Sequence, residues 1–139
     1  MPPVPDDEPE PPTTRRSRLG LAALLAGAGT LHFVTPTFFD ELVPDWVPGD
    51  PRAWTYASGV AELGVAGLLA SRRTHRLGGW AAFALLLAVY PANIWDVVEH
   101  PPTDGRGIAS LVRLPLQLPL LAWALGVAGA SRRGRTVAT

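Results

Sequence analysis

From residue 19 onward, long apolar runs alternate with short polar breaks. Four runs stand out: Leu19 to Val34, Ala53 to Ala70, Leu77 to about Val98, and Leu111 to Ala130. A membrane-crossing helix needs about 20 mainly apolar residues, with a working range of about 17–25. The first run is a little short, and a snorkelling Arg18 would extend it. A soluble bundle would need polar outer faces on its helices. The stretches "GLAALLAGAG", "AAFALLLAV" and "LLAWALGVAGA" have none. The pattern therefore predicts an all-α fold, an integral membrane four-helix bundle over residues 18–131. Its spans are expected at about 19–34, 53–70, 77–98 and 111–130.

The fourth run needs a decision. Its "RLPLQLPL" (113–120) alternates as a half-buried strand would. Proline, however, is confined to edges or bulges in sheets. Membrane helices tolerate it, because neighbouring groups satisfy the freed carbonyls. The segment is read as helix, with Pro115 and Pro119 freeing the carbonyls of Leu111 and Pro115. Gln117 or Arg113 is expected to donate to such groups.

Charge supplies the orientation. All 12 basic residues are arginine, and nine of them flank one set of run ends: Arg15, Arg16, Arg18, Arg72, Arg73, Arg76, Arg132, Arg133 and Arg135. The opposite breaks hold Asp40, Glu41, Asp45, Asp50, Asp96, Glu99 and Asp104, with Arg52 and Arg106. The positive-inside rule then places both termini in the cytoplasm of a multi-pass plasma-membrane protein. Phe38, Phe39, Leu42 and Trp46 in the first outer loop suit the membrane interface, partly as helix. A competing reading takes "TTRRSRLGLAALLAGAG" as a cleaved signal peptide. It would put the second arginine cluster outside and fits the charge pattern less well.

Composition narrows the function classes. Hydrophobic residues make up 47 % and charged residues 17 %, against about 25 % charged in soluble proteins. The formal net charge is zero, so nothing favours nucleic acid. The absence of cysteine excludes disulfides, thiolate metal sites and dithiol redox chemistry within the chain. Six of the first 12 residues are proline, and residues 1–17 read as a disordered, Pro-rich acidic tail. Residues 132–139 form a basic tail. No nucleophile–base pair, phosphate loop or nucleotide fingerprint is present, so catalytic residues stay unassigned.

Polar residues within the runs are the candidate chemistry. Glu62 lies in mid-run, where a charge costs roughly 2.5–3.5 kcal/mol on insertion scales, so it should be protonated, paired or watered. Thr55, Ser58 and Glu62 share one helical face. His32, Asn93, Arg113 and Gln117 fall in the same outer half. Two readings stand together. In one, these groups are interhelical glue, each bond worth about 0.6 kcal/mol. In the other, His32, Ser58, Glu62, Asn93, Arg113 and Gln117 line an outward-facing pocket for a headgroup, quinone ring or small solute. Both expect Glu62 joined to Arg113, directly or through one of these groups or a water. A metal set from His32, His100, Asp96 and Glu99 lacks diagnostic spacing, and no metal is expected. Ala122, Gly126 and Ala130 form a small-residue ridge expected to pack within the chain rather than in a dimer.

The ordered set "GTLHFVTPTFF", "VPDWVPGDPRAWTYASGVAELGVAGLL", "RLGGWAAFALLLAVYPANIW" and "RLPLQLPLLAW" resembles the DoxX-like family of small bacterial membrane proteins, over residues about 27–124. The family-pattern positions are His32, Pro36, Ser58, Gly59, Glu62, Pro91, Asn93, Arg113, Pro115 and Gln117. The resemblance implies a four-helix membrane bundle and, from some relatives, association with redox systems such as thiosulfate:quinone oxidoreductase. With no cysteine here, thiol chemistry would fall to a partner. The expectation is a non-catalytic or accessory component of a membrane redox or oxidative-stress system. Quinone is its candidate cofactor, and the lipid bilayer, a redox protein or a second copy its candidate partners. The alternative is a small solute transporter or solute-binding membrane protein.

Overall fold

A computed structural model describes residues 9–129, and these are helical almost throughout. Five helices follow in order: α1 (Pro12–Val34), α2 (Pro36–Asp40), α3 (Pro51–Ala70), α4 (His75–Glu99) and α5 (Gly105–Gly129). Proline starts three of them, at Pro12, Pro36 and Pro51. Its fixed φ suits the first helical turn, where its missing N–H would have no partner. Asp50 caps α3 by accepting from the Arg52 backbone N–H at 3.1 Å. Asp104 serves α5 the same way, accepting from the Gly107 N–H at 2.9 Å. Pro91, Pro115 and Pro119 all lie inside helices. The "RLPLQLPL" alternation is therefore incidental.

Two boundaries move. α1 starts at Pro12, so residues 12–17, expected in the tail, are helical. α5 starts at Gly105, six positions before the expected Leu111, because Asp104 is a cap and not merely a loop acid. Residues 1–8 of the N-terminal tail, Ala130 and the basic tail 132–139 with its three arginines lie outside the described residues.

The long helices associate as two intimate pairs, α1 with α3 and α4 with α5. An α3–α4 contact joins the pairs, and a smaller α1–α5 contact closes them. Leu21, Leu25, Val65, Leu69, Ala82, Leu86, Ala124 and Val127 form the shared core. Glycine sets the closest approaches. A Cβ on Gly59 would stand 2.8 Å from His32 Cβ and 3.1 Å from the Gly29 carbonyl. One on Gly79 would stand 2.5 Å from the Ala128 backbone nitrogen. The expected ridge does not pack in this way. Gly126 has open space beside it, and α5 instead presents Ala124, Val127 and Ala128 to its neighbours.

α1, α4 and α5 are each long and apolar enough to cross a membrane. Many large apolar side chains on them are exposed, including Leu24, Leu31, Phe33, Leu77, Leu87, Ile94, Val112, Leu116 and Leu118. A surface of that kind needs an apolar surrounding. α3 is as long as a span but falls short in hydropathy, because Arg52, Thr55, Ser58 and Glu62 occupy its first two-thirds.

At the arginine-bearing end, side chains close the ends of neighbouring helices. Arg18 is 6 % exposed and does not snorkel. It donates to the last α3 carbonyls, Leu69 at 3.1 Å and Ala70 at 2.6 Å, and forks onto Glu10 at 2.7 and 2.8 Å. Arg76 donates to the Ala128 carbonyl near the end of α5 at 3.3 Å. Both cations sit at the negative end of a helix dipole. Trp123 of α5 donates to Ser17 Oγ of α1 at 2.9 Å and packs over Gly20.

Candidate functional site

The polar side chains of the opposite end fall into two clusters. The first belongs to α1 and α3. His32 and Glu62 face each other across the Gly29–Gly59 crossing, with His32 Nδ1 3.4 Å from Glu62 Oε2. His32 Nδ1 also lies 2.8 Å from the Ala28 carbonyl. A carbonyl only accepts, so that nitrogen carries hydrogen and directs it at Ala28. Glu62 Oε2 is buried and receives no hydrogen bond from the described residues. Phe39 of α2 lies flat on His32, ring centroids 3.7 Å apart and planes 22° apart.

α2 is fixed in that place by Asp40. Its Oδ1 accepts from the Thr55 hydroxyl at 2.7 Å, and its Oδ2 from Arg52 Nε at 2.8 Å. The Thr55 bond, then Arg52, hold the Asp40 carboxyl below its ordinary range, with desolvation opposing. Thr55 is 2 % exposed, so this bond is covered where α2 meets the start of α3.

The second cluster joins α4 to α5 around Asp96, which is 1 % exposed. Ser110 donates to Asp96 Oδ2 at 2.5 Å, and Arg113 Nη1 stands 3.9 Å from the same oxygen. His100 Nδ1 and Arg106 Nη2 lie 3.1 and 3.7 Å from Oδ1. Arg106 reaches further, donating to Glu41 Oε2 at 2.6 Å and to the Glu41 carbonyl at 3.1 Å. Nearer mid-helix, Asn93 donates to Gln117 Oε1 at 3.3 Å, and Gln117 donates to the Leu86 carbonyl at 2.7 Å. Consecutive residues Phe39, Asp40 and Glu41 thus touch both clusters.

The expected group of six is therefore divided. His32 and Glu62 meet, with Ser58 half-buried one turn away on α3. Asn93 and Gln117 meet, and Arg113 lies beyond them beside Asp96. Glu62 and Arg113 are not directly paired, since each has its own partner. Gln117 donates across to α4, not to the carbonyls that the α5 prolines free.

The sequence offers Asp96 only as a loop acid and metal ligand and leaves Ser110 and Arg106 unassigned, although spacing could have joined all three to Arg113. Asn93, Asp96 and His100 follow at intervals of three and four. Arg106, Ser110, Arg113 and Gln117 follow at four, three and four. Two such stripes on adjacent antiparallel helices face each other. Placing the fourth span's start at Leu111 cut the second stripe in half.

Residues 21–128 match the family DUF8561, a domain of unknown function, and the chain belongs to that family. No curated protein and no solved structure matches it.

Proposed function

We propose that this member of the DUF8561 family is a four-helix protein of the cell membrane, both termini cytoplasmic, that holds a quinol or similar hydroxylated ring. On this reading it is a non-catalytic, accessory component of a membrane redox or oxidative-stress system, serving a redox-protein partner or acting as an oligomer. α3 is the fourth span, its polar face turned to α1 and α2. The resemblance to DoxX-like proteins supports the redox setting.

The observation that carries the ligand is Glu62 Oε2. Buried polar atoms are nearly always hydrogen-bonded, and each exception calls for a reason. An acceptor left without a donor suits an incoming hydroxyl. A quinol offers one, together with an aromatic ring for the face of Phe39 turned away from His32. Asp96 Oδ1 also receives no hydrogen bond from the described residues, but Asp96 Oδ2 accepts from Ser110 and two guanidinium groups stand 3.7 and 3.9 Å from the carboxylate, which suits a structural joint.

The test is binding of a short-chain quinol in nanodiscs, read from quenching of tryptophan fluorescence. Saturable quenching is expected, with at least ten-fold weaker affinity in Glu62→Ala and Phe39→Ala. Quenching that does not saturate, or equal affinity in Glu62→Ala, would overturn the proposal.

A further inference from the structure

Away from both clusters, an apolar groove of about 420 Å³ runs between α1 and α3. Leu19, Ala23 and Ala26 line one wall, and Leu63, Gly67 and Ala70 the other. Its floor is shallow because the walls are built of small residues. A Cβ placed on Gly67 would meet open space, so no side chain of the described residues fills the groove there.

At Leu19 the groove meets a second hollow of about 350 Å³, lined by Glu10, Pro12, Arg15 and Arg16 as well as Leu19 itself. Glu10 is engaged by Arg18 through both carboxylate oxygens. Arg15 and Arg16 are exposed. The two hollows adjoin at Leu19, one cationic at the helix end and the other apolar along the helix.

We infer that this pair of hollows binds an anionic phospholipid, its phosphate at Arg15 and Arg16 and one acyl chain along the α1–α3 groove. The dimensions agree. Leu19 to Ala26 spans about 10 Å at 1.5 Å per residue, against about 15 Å for half the hydrocarbon core. Arginine recognises phosphate oxygens with its planar fork. Basic residues at the membrane surface favour anionic lipid by about five-fold each. The inference rests on α1 and α3 lying in the bilayer, as proposed above, and is independent of the quinol site.

The experiment reconstitutes the full chain with equal phosphatidylglycerol and phosphatidylethanolamine. Lipids retained after gentle detergent release are then counted by native mass spectrometry. Phosphatidylglycerol should be retained at least five-fold over phosphatidylethanolamine. The Arg15→Gln/Arg16→Gln pair should bring the two lipids close to parity. Gly67→Leu should expel both, and Ala23→Leu should do so from the opposite wall should Gly67→Leu fail to insert. Gly64→Leu, on the same helix and also beside open space, should change nothing. Equal retention of the two lipids by the unaltered chain would overturn the inference. So would groove-filling variants that keep their lipid, or that lose only self-association, which would assign the groove to a second copy. Extraction of the unaltered chain by alkaline carbonate would defeat the membrane reading itself. Resistance to carbonate without lipid preference would defeat this inference alone.

Discussion

At Asp96 a single carboxylate gathers a hydroxyl, two guanidinium groups and an imidazole where almost no water reaches. Removing one partner of a buried charge pair costs about 3–5 kcal/mol, because the other charge is left behind. Asp96→Asn should therefore destabilise the protein by about 3 kcal/mol, and adding Arg113→Gln should recover part of that loss. Glu62→Gln combined with Arg113→Gln should behave differently. The two residues have different partners, so their effects should add within about 0.5 kcal/mol. Thermal or detergent unfolding of the single and double variants decides the matter. Strong coupling between Glu62 and Arg113 with none between Asp96 and Arg113 would reverse the assignment. Sequence reasoning found Glu62 because one acid in an apolar run is conspicuous. The burial of Asp96 was not legible, because it lies near a run's end, where acids usually meet solvent. Only the partner helix reveals that it is covered.

Among the elements, α2 and the α4–α5 interface make opposite demands. α2 is one short helix docked through Asp40, whose carboxyl is held below its ordinary range. A depressed folded pKa contributes stability above the unfolded value, near 4. That contribution disappears as pH falls through the folded value. α2 should thus stay docked at neutral pH and release in acid below about pH 4. Hydrogen exchange at residues 36–41 should show this step, and Asp40→Asn should show fast exchange at every pH.

The α4–α5 interface depends on shape. A methyl group on Gly79 would meet backbone of Ala128, which cannot rotate aside, whereas one on Gly126 meets nothing. Gly79→Ala should cost about 1–3 kcal/mol by overpacking, and Gly126→Ala should be neutral or slightly stabilising. Equal thermal stability of the two variants would show that the helices can separate without loss. Helix identity and approximate length were legible from apolar runs and proline positions. The pairing of helices was not. It depends on which of many small residues approaches a neighbouring backbone, and composition gives Gly79 and Gly126 the same standing.

Over the whole molecule, the start of α1, the α3–α4 break and the end of α5 lie together, tied by the Arg18 and Arg76 contacts. The acidic breaks lie at the other end, where Glu41 meets Arg106. On the proposed orientation, reporter fusions after residues 48, 74 and 104 and at the C-terminus should report outside, inside, outside and inside. An outward C-terminus would refute it.

Arg18 also belongs to the order in which the chain is made. It leaves the ribosome 51 and 52 residues ahead of Leu69 and Ala70, whose carbonyls it later occupies. At about 5–20 residues per second, that interval lasts about 3–10 s. Throughout it, the guanidinium has no α3 helix end to close, and on the proposed orientation it would count in full among the positive charges that hold the start of α1 in the cytoplasm. Once α3 is complete, the same charge is withdrawn into the fold. On the proposed orientation, one side chain would thus act first as a retention signal for an unfinished chain and afterwards as a fastening within the finished one.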